Sequence, residues 1–559
     1  MTRSQEKPVS QWRSILAQPE TLPLLGELYG TDAGVLHMRT ALIRQTLQAF
    51  QERFGDVPAR VFRAPGRINL RGMHVDTHGG FLNLMTHHRE TILVAAPTNG
   101  TTNSLANVNP DFADVSFDLE QERQDIEPGC DWWNVIANPA VAARANKRNA
   151  SSETAWSNYC IGAALRIAHA HPHTPFRGLN IMVNSDLPRG AALSSSAALS
   201  VASLLAYSDC NAMALTPEQT IAFEQDVEWY AGARVGMSDQ TAILLGQAGR
   251  ILHIAVFSKD FRLDGARYVP FPEALDLLVV HSHTKRRLSG AQRLQYTLNR
   301  FAYSMALTVL QAELMRSGWT SAEAQHMDRL SRITPETLGG IEAVYDILRR
   351  IPLHIDLETL RKQYAPPGLD EEYARYFGDM PTSDQPKQIP LRGPLMFGIA
   401  ESERARLFPE ALASGDYARA GAFMTAGHNG DRVQNADGTP YSADISDAAL
   451  EALAGNKAPL PLQPGAYGAS SPALDALVDA ALDAGALGAC LTGAGIAGAV
   501  LALCRHADAT AVRRAWRRLL QSDAYAERAH LPAPLDAETA AQAITANHSV
   551  GGASALCLP

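Results

Sequence analysis

The sequence predicts an α+β protein of two domains. Its β and α segments follow one another without the regular β-α-β alternation of a doubly wound sheet. A chain of 559 residues also exceeds what one ordinary hydrophobic core organises. With 46% hydrophobic and 19% charged residues, it has the composition of a soluble globular protein. The net charge of −9 gives no electrostatic reason to expect nucleic acid or an anionic membrane as partner.

The elements read in order as follows. Residues 1–58 form a helical N-terminal extension: Leu36 to Phe50 carries apolar residues at helical spacing, and Gly55 and Pro58 stop it. A β-rich stretch follows (VFRAP, GRINL, TILVAAP), then a polar segment over 100–155 that reads as irregular. A helix is expected over Trp156 to Ala170 and a strand from Leu179, followed by a small-residue turn into a second helix. ILHIAVF and LDLLVVHS read as strands, and 300–400 as helical and charged. Near the end, SSPALDALVDAALDAG is an amphipathic helix running into GALGACLTGAGIAGAVLAL, a glycine hairpin between apolar strands. We therefore expect one domain over 59–285 and a second over 286–545, with insertions near 310–385 and 430–465 and a tail over 546–559.

Six cysteines stand far apart with no C-x-x-C pair, which suggests neither a zinc site nor a disulfide framework. The polar start MTRSQEKPVSQWRS lacks an apolar signal region, so a cytoplasmic location is expected.

Three motifs carry chemistry. In Leu187-Pro-Arg-Gly-Ala-Ala-Leu-Ser-Ser-Ser-Ala-Ala-Leu199 a strand ends, small residues follow, and serines open an apolar helix. Backbone N–H groups can approach phosphate there, and the helix dipole favours the anion. An N-capping serine on a core helix gives the same pattern. No G-x-x-x-x-G-K-[ST] occurs, which excludes the usual P-loop. The second motif is Arg63-Ala-Pro-Gly-Arg-Ile-Asn-Leu-Arg-Gly-Met-His-Val-Asp-Thr-His-Gly-Gly80, and the third Leu491-Thr-Gly-Ala-Gly-Ile-Ala-Gly498. The third contains G-x-G-x-x-G, but an apolar strand follows it where a dinucleotide fold needs a helix.

Together these resemble the GHMP kinases, and the second is similar to the galactokinase signature. Trp156-Ser-Asn-Tyr-Cys-Ile-Gly162 and Gly232-Ala-Arg-Val-Gly-Met-Ser-Asp-Gln240 resemble further galactokinase segments. The resemblance covers roughly 60–300 and 390–505. It implies a two-domain fold with ATP and sugar in the cleft between domains, and phosphorylation of a sugar hydroxyl, by analogy the anomeric C1. It implies Asp239 as the catalytic carboxylate, base or anchor, and Arg67 as its charge partner. Nucleotide contacts fall on Gly190, Ala191, Ala192, Ser194, Ser195 and Ser196, with Trp156 near the base. Mg²⁺ is implied on Ser195 or Ser196 and Glu228, with Asp226 the fallback; Val227 stands where many galactokinases carry the metal glutamate. Asp239→Ala is expected to abolish phosphorylation with little loss of fold.

The sugar is implied to meet His74, Asp76, Gly236, Arg293 and Tyr296. Met73 replaces the usual glutamate near the sugar's C6, and Thr77 the usual tyrosine. A substrate without a C6 hydroxyl, such as arabinose, fits that change. So does a C6 carboxylate, as in a uronic acid, for which His283, Lys285, Arg286, Arg287 and Arg293 supply positive charge. Galactokinase proper is the alternative. A non-catalytic sugar sensor is the rival of another class, and the intact Ser194–Ala197 loop argues against it.

Overall fold

The structure, a computed structural model, describes residues 5–188, 190–284, 291–378 and 380–559, and of residues 291–293 and 296 only the backbone. Two sheets organise it. The first has nine strands and is built around Pro58–Arg71 and Phe81–Pro97, paired antiparallel. Leu179–Ser185 and Arg250–Ala255 both pair antiparallel with Phe81–Pro97, the first along Thr91–Pro97 and the second along Phe81–Leu84. The second has four strands in the order Gly488–Thr492, Ala499–Arg505, Leu275–His281, Ile544–Ala546.

Alternation in the long central strands decides how the first sheet is covered. Successive side chains point to opposite faces. Val61, Ile92 and Val94 face one way and join a core with Ile43, Leu47 and Phe50 of the N-terminal extension. Phe62, Ala64 and Leu93 face the other way, into the main core with helices Ser157–Ala170 and Ser195–Cys210. The extension is thus a structural layer. Its long helix, Ala33–Phe54, starts at Asp32, whose side chain accepts from Val35 N, and ends at Gly55 with φ +88°. Each apolar side chain this helix buries contributes roughly 1.5–3 kcal/mol.

A buried polar knot fastens that layer down. The Tyr29 hydroxyl donates to Glu90 Oε1 at 2.6 Å, and Arg63 Nε donates to Glu90 Oε2 at 2.7 Å. Arg63 Nη1 also donates to the carbonyls of Gly551 and Gly552. The C-terminal tail therefore returns to the first sheet, where Ser554–Ala555 pairs with Pro58–Arg71.

Two features differ from the sequence reading. The segment 100–155 is ordered rather than irregular: it holds strands Thr102–Asn107 and Val115–Asp118 and short helices. Its polarity comes from capping, since Asp118, Asp131 and Asn138 each accept backbone N–H groups at a helix start. The strand Leu275–His281 pairs with Ala499–Arg505, so it belongs to the second sheet and not with the strands before it. The helix after the small-residue turn starts at Ser195, in line with serines opening it, and Ser194 holds a left-handed conformation with φ +59°. The region 310–385 forms a helical layer that includes Ile341–Arg350 and Leu357–Tyr364. Among the described residues, no helix is long and apolar enough to cross a membrane.

Candidate active site

Arg67, Ser194 and Asp239 come from three separate elements and meet. Arg67 projects from the strand Pro58–Arg71 and is 5% exposed. Its Nε donates to Asp239 Oδ1 at 2.7 Å, and its Nη1 donates to the Ala192 carbonyl. Ser194 Oγ donates to the other oxygen, Asp239 Oδ2. Asp239 stands in the first turn of helix Ser238–Leu245. Burial pushes its carboxyl up, but the Arg67 charge and the bonds from Arg67, Ser194 and Ser238 outweigh this and hold it below the usual range.

The strand also fixes the loop. Arg67 N donates to the Leu193 carbonyl at 3.2 Å. A Cβ on Gly66 would lie 2.9 Å from that carbonyl, so glycine lets the two segments touch. The glycine hairpin closes over from the second sheet. A Cβ on Gly493 would come within 2.9 Å of the Ala192 side chain, and one on Gly498 within 2.6 Å, both at positive φ.

Beside the Arg67–Asp239 pair lies a cavity of about 90 Å³. His74, Asp76, Thr77, Gly236, Arg300 and Tyr467 line it. The His74 ring stacks on Tyr467 with centroids 4.5 Å apart and has Nε2 3.4 Å from Asp431 Oδ1. Asp76 Oδ2 accepts from Ser238 Oγ at 2.8 Å. A Cβ on Gly236 would lie 2.0 Å from Asp76 Oδ2, although the Gly236 backbone itself would tolerate alanine. Gly236→Ala is therefore expected to raise KM for the substrate tenfold or more while the melting temperature holds. Steady-state kinetics with thermal denaturation checks this; an unchanged KM would show that Asp76 is not where the substrate binds.

On the other side of Asp239, helix Pro217–Tyr230 presents two buried glutamates one turn apart. Glu228 is 3% exposed and hydrogen-bonded to Ser196. Burial and the nearby Asp239 push its carboxyl up to about 7, against the Ser196 bond and the Arg67 charge. Glu224 is fully buried, and neither of its oxygens has a hydrogen-bond partner; burial and Glu228 push it up as well. Uncompensated carboxylate oxygens of this kind suit a hard divalent cation, which takes one or two carboxylates and leaves its other positions to phosphates and water. The residues present fit Mg²⁺. The serine bonded to Glu228 is Ser196. Asp226 is bound to Arg166 Nε at 2.7 Å, and Val227 is in the apolar core.

The models of three protein families match the chain: the GHMP kinases N terminal domain over 158–247, the GHMP kinases C terminal domain over 409–521, and the galactokinase galactose-binding signature over 48–97. The chain is a galactokinase-like GHMP kinase. By family it is an ATP-dependent sugar kinase. A galactokinase of Chloroflexus aurantiacus is 28% identical over 82% of this chain and 88% of its own length. One from Streptomyces coelicolor is 27% identical over 84% and 90%. The crystal structure of Lactococcus lactis galactokinase complexed with galactose has the same fold, with a TM-score of 0.60 at 19% identity, over 93% of this chain and all of that one.

Several sequence expectations for this GHMP kinase need revision. Met73 is 1% exposed in the apolar core, its N–H held by Glu401, and it is not among the residues lining the cavity. His283 lines a different cavity, behind the phosphate loop. Lys285, Arg286 and Arg287 lie outside the described residues, as do the side chains of Arg293 and Tyr296, which stand on helix Ala291–Arg316. Trp156 is buried, packed against Phe112, with Nε1 unpartnered. Sequence reasoning missed Glu224, Arg300 and Tyr467. The four-residue spacing from Glu224 to Glu228 marks one helix face and could have found the first. Nothing local marks the other two, which reach the cavity from distant elements.

Proposed function

We propose that this kinase transfers the γ-phosphoryl group of ATP to the anomeric C1 hydroxyl of a galactose-like monosaccharide. The observation that carries the reading is the junction of Arg67, Ser194 and Asp239 beside the cavity lined by His74 and Asp76. Asp239, ionised and aimed by three hydrogen bonds, accepts or anchors the attacking hydroxyl. Arg67 offsets the charge that develops as the oxygen attacks. The backbone of Gly190, Ala191 and Ala192 and the start of helix Ser195–Cys210 take the phosphates, with Ser194, Ser195 and Ser196 supplying hydroxyls. Glu228, Ser196 and Glu224 would hold Mg²⁺, which when bound neutralises phosphate charge. Trp156 is assigned to the neighbourhood of the base by the family resemblance.

Galactose is the first candidate sugar, since the curated relatives are galactokinases. A uronic acid is a second reading, now supported by Arg300 on the cavity wall rather than by Met73. A guanidinium there can pair with a C6 carboxylate. A coupled ATPase assay over galactose, arabinose, galacturonate, glucuronate and N-acetylgalactosamine tests both, with ³¹P NMR locating the phosphate. We expect galactose or galacturonate to turn over and a C1 phosphate to form. Turnover of galactose without galacturonate removes the second reading. No turnover of any sugar with ATP and Mg²⁺ sinks the proposal and favours a sugar sensor.

A further inference from the structure

A larger cavity, of about 250 Å³, lies behind the phosphate loop, away from the Arg67–Asp239 junction. Pro188, Ala191 and Leu193 form its loop side, and Ala499 and Val279 of the second sheet face them. His87, Arg89, His281 and His283 supply its polar wall. None of its described lining residues is acidic, in a chain whose net charge is −9.

The hydrogen bonding of His87 fixes what this wall offers. His87 is fully buried, and its Nδ1 accepts from the backbone N of Arg89 at 3.0 Å. A neutral imidazole that accepts at Nδ1 carries its hydrogen on Nε2. That Nε2 has no hydrogen-bond partner, and neither has His283 Nε2. A buried donor without an acceptor is destabilising, so the wall is built to meet an acceptor. Burial pushes the His87, His281 and His283 imidazoles down, His281 to about 4. They are therefore neutral at pH 7, with His87 presenting its Nε2–H, and the positive charge comes from Arg89. No described side chain forms an ion pair or hydrogen bond with the Arg89 guanidinium. The carboxylate nearest in charge, Asp186, is engaged by Arg39 at 3.0 Å and by Glu90 N at 2.9 Å.

Position explains the cluster. His87 pairs with Gly66 and Glu90 with Pro65, so His88 and Arg89 bulge out of the strand pairing. That irregularity turns Arg89 toward the loop. We propose that this cavity is a second anion site, taking a small phosphate-bearing molecule, inorganic phosphate or a sugar phosphate, against Arg89 and His87. Several donors from separate elements suit a tetrahedral oxyanion. The volume is just under that of ordinary small-molecule pockets, enough for a phosphate with a small organic body. Through Ala191 and Leu193 its occupant touches the reverse side of the loop that binds nucleotide.

Calorimetric titration of the full chain with inorganic phosphate, and separately with galactose 1-phosphate, tests this while a non-hydrolysable ATP analogue and sugar fill the cleft. We expect saturable binding of at least one, weakened tenfold or more in Arg89→Met and in His87→Leu. Thermal melting confirms that each variant folds; should His87→Leu fail to fold, Arg89→Met decides alone. The arm that binds more tightly identifies the source of the phosphate. Loss of binding once the cleft is filled places the anion in the nucleotide site and overturns the proposal. Binding unchanged in Arg89→Met, or absent throughout, overturns it too. The readout is binding and not turnover, so either result leaves the kinase reading untouched.

Discussion

Replacing Asp239 by asparagine should lower kcat by roughly 10²–10⁴-fold while the protein stays folded. Asparagine keeps one oxygen to accept from Arg67 Nε, while its NH2 group takes the place of the oxygen that accepts from Ser194 Oγ. What it removes is the charge. Without it the attacking hydroxyl loses its proton acceptor, and Arg67 loses the opposite charge of its ion pair. Ser238 Oγ is held chiefly by Asp76, at 2.8 Å against 3.4 Å to Asp239 Oδ1, so the Asp76 side of the cavity survives. KM for the sugar should change far less than kcat, the pattern of a group that acts mainly in the transition state. Steady-state kinetics on the purified variant, with circular dichroism, makes the comparison. A fully active Asp239→Asn enzyme would falsify the assignment of Asp239 to the reaction.

The second large effect is on stability. Glu401 is fully buried on helix Arg392–Ala413. Its Oε1 accepts from the backbone of Gly72 at 2.7 Å and of Met73 at 3.1 Å, and its Oε2 from Arg404 Nε at 2.6 Å. Arg71 Nη1 lies 3.5 Å from the same oxygen. One carboxylate thus pins the loop carrying His74 to the helical layer and balances two buried arginines. Glu401→Ala strands both, and breaking a buried pair in this way costs about 3–5 kcal/mol. Urea denaturation should show that loss, with weaker sugar binding in whatever remains folded. Burial pushes the Glu401 carboxyl up, but Arg71 and Arg404 hold it below its ordinary value. Its contribution is therefore present at neutral pH and is lost as pH falls through that lowered value. An unchanged denaturation midpoint would show that the arginines find other partners and that the loop is anchored elsewhere.

How much was legible beforehand depends on whether the signal was local. The phosphate loop, the signature around His74 and the glycine hairpin could be read because small residues and turns constrain the backbone over a few positions. The strand Leu179–Ser185 and the helix Pro472–Asp483 were readable for the same reason, in their apolar periodicity. Residues 100–155 were misread, because an aspartate that caps a helix and one that floats in a loop look alike in sequence. Met73 was misassigned because its place beside His74 in the chain says nothing of the direction it points.

The sequence by itself determined which chemical groups exist and which short segments are bent to use them: an arginine in a strand, serines at a helix start, an aspartate opening another helix. Only the tertiary structure decided that Ser196 meets Glu228, that Arg300 and Tyr467 line the cavity beside Arg67 and Asp239, and that Arg89 lines a separate one. The reason is physical. Local geometry follows from backbone sterics over a few residues, whereas a site assembled from positions hundreds of residues apart depends on how two sheets and their helices pack.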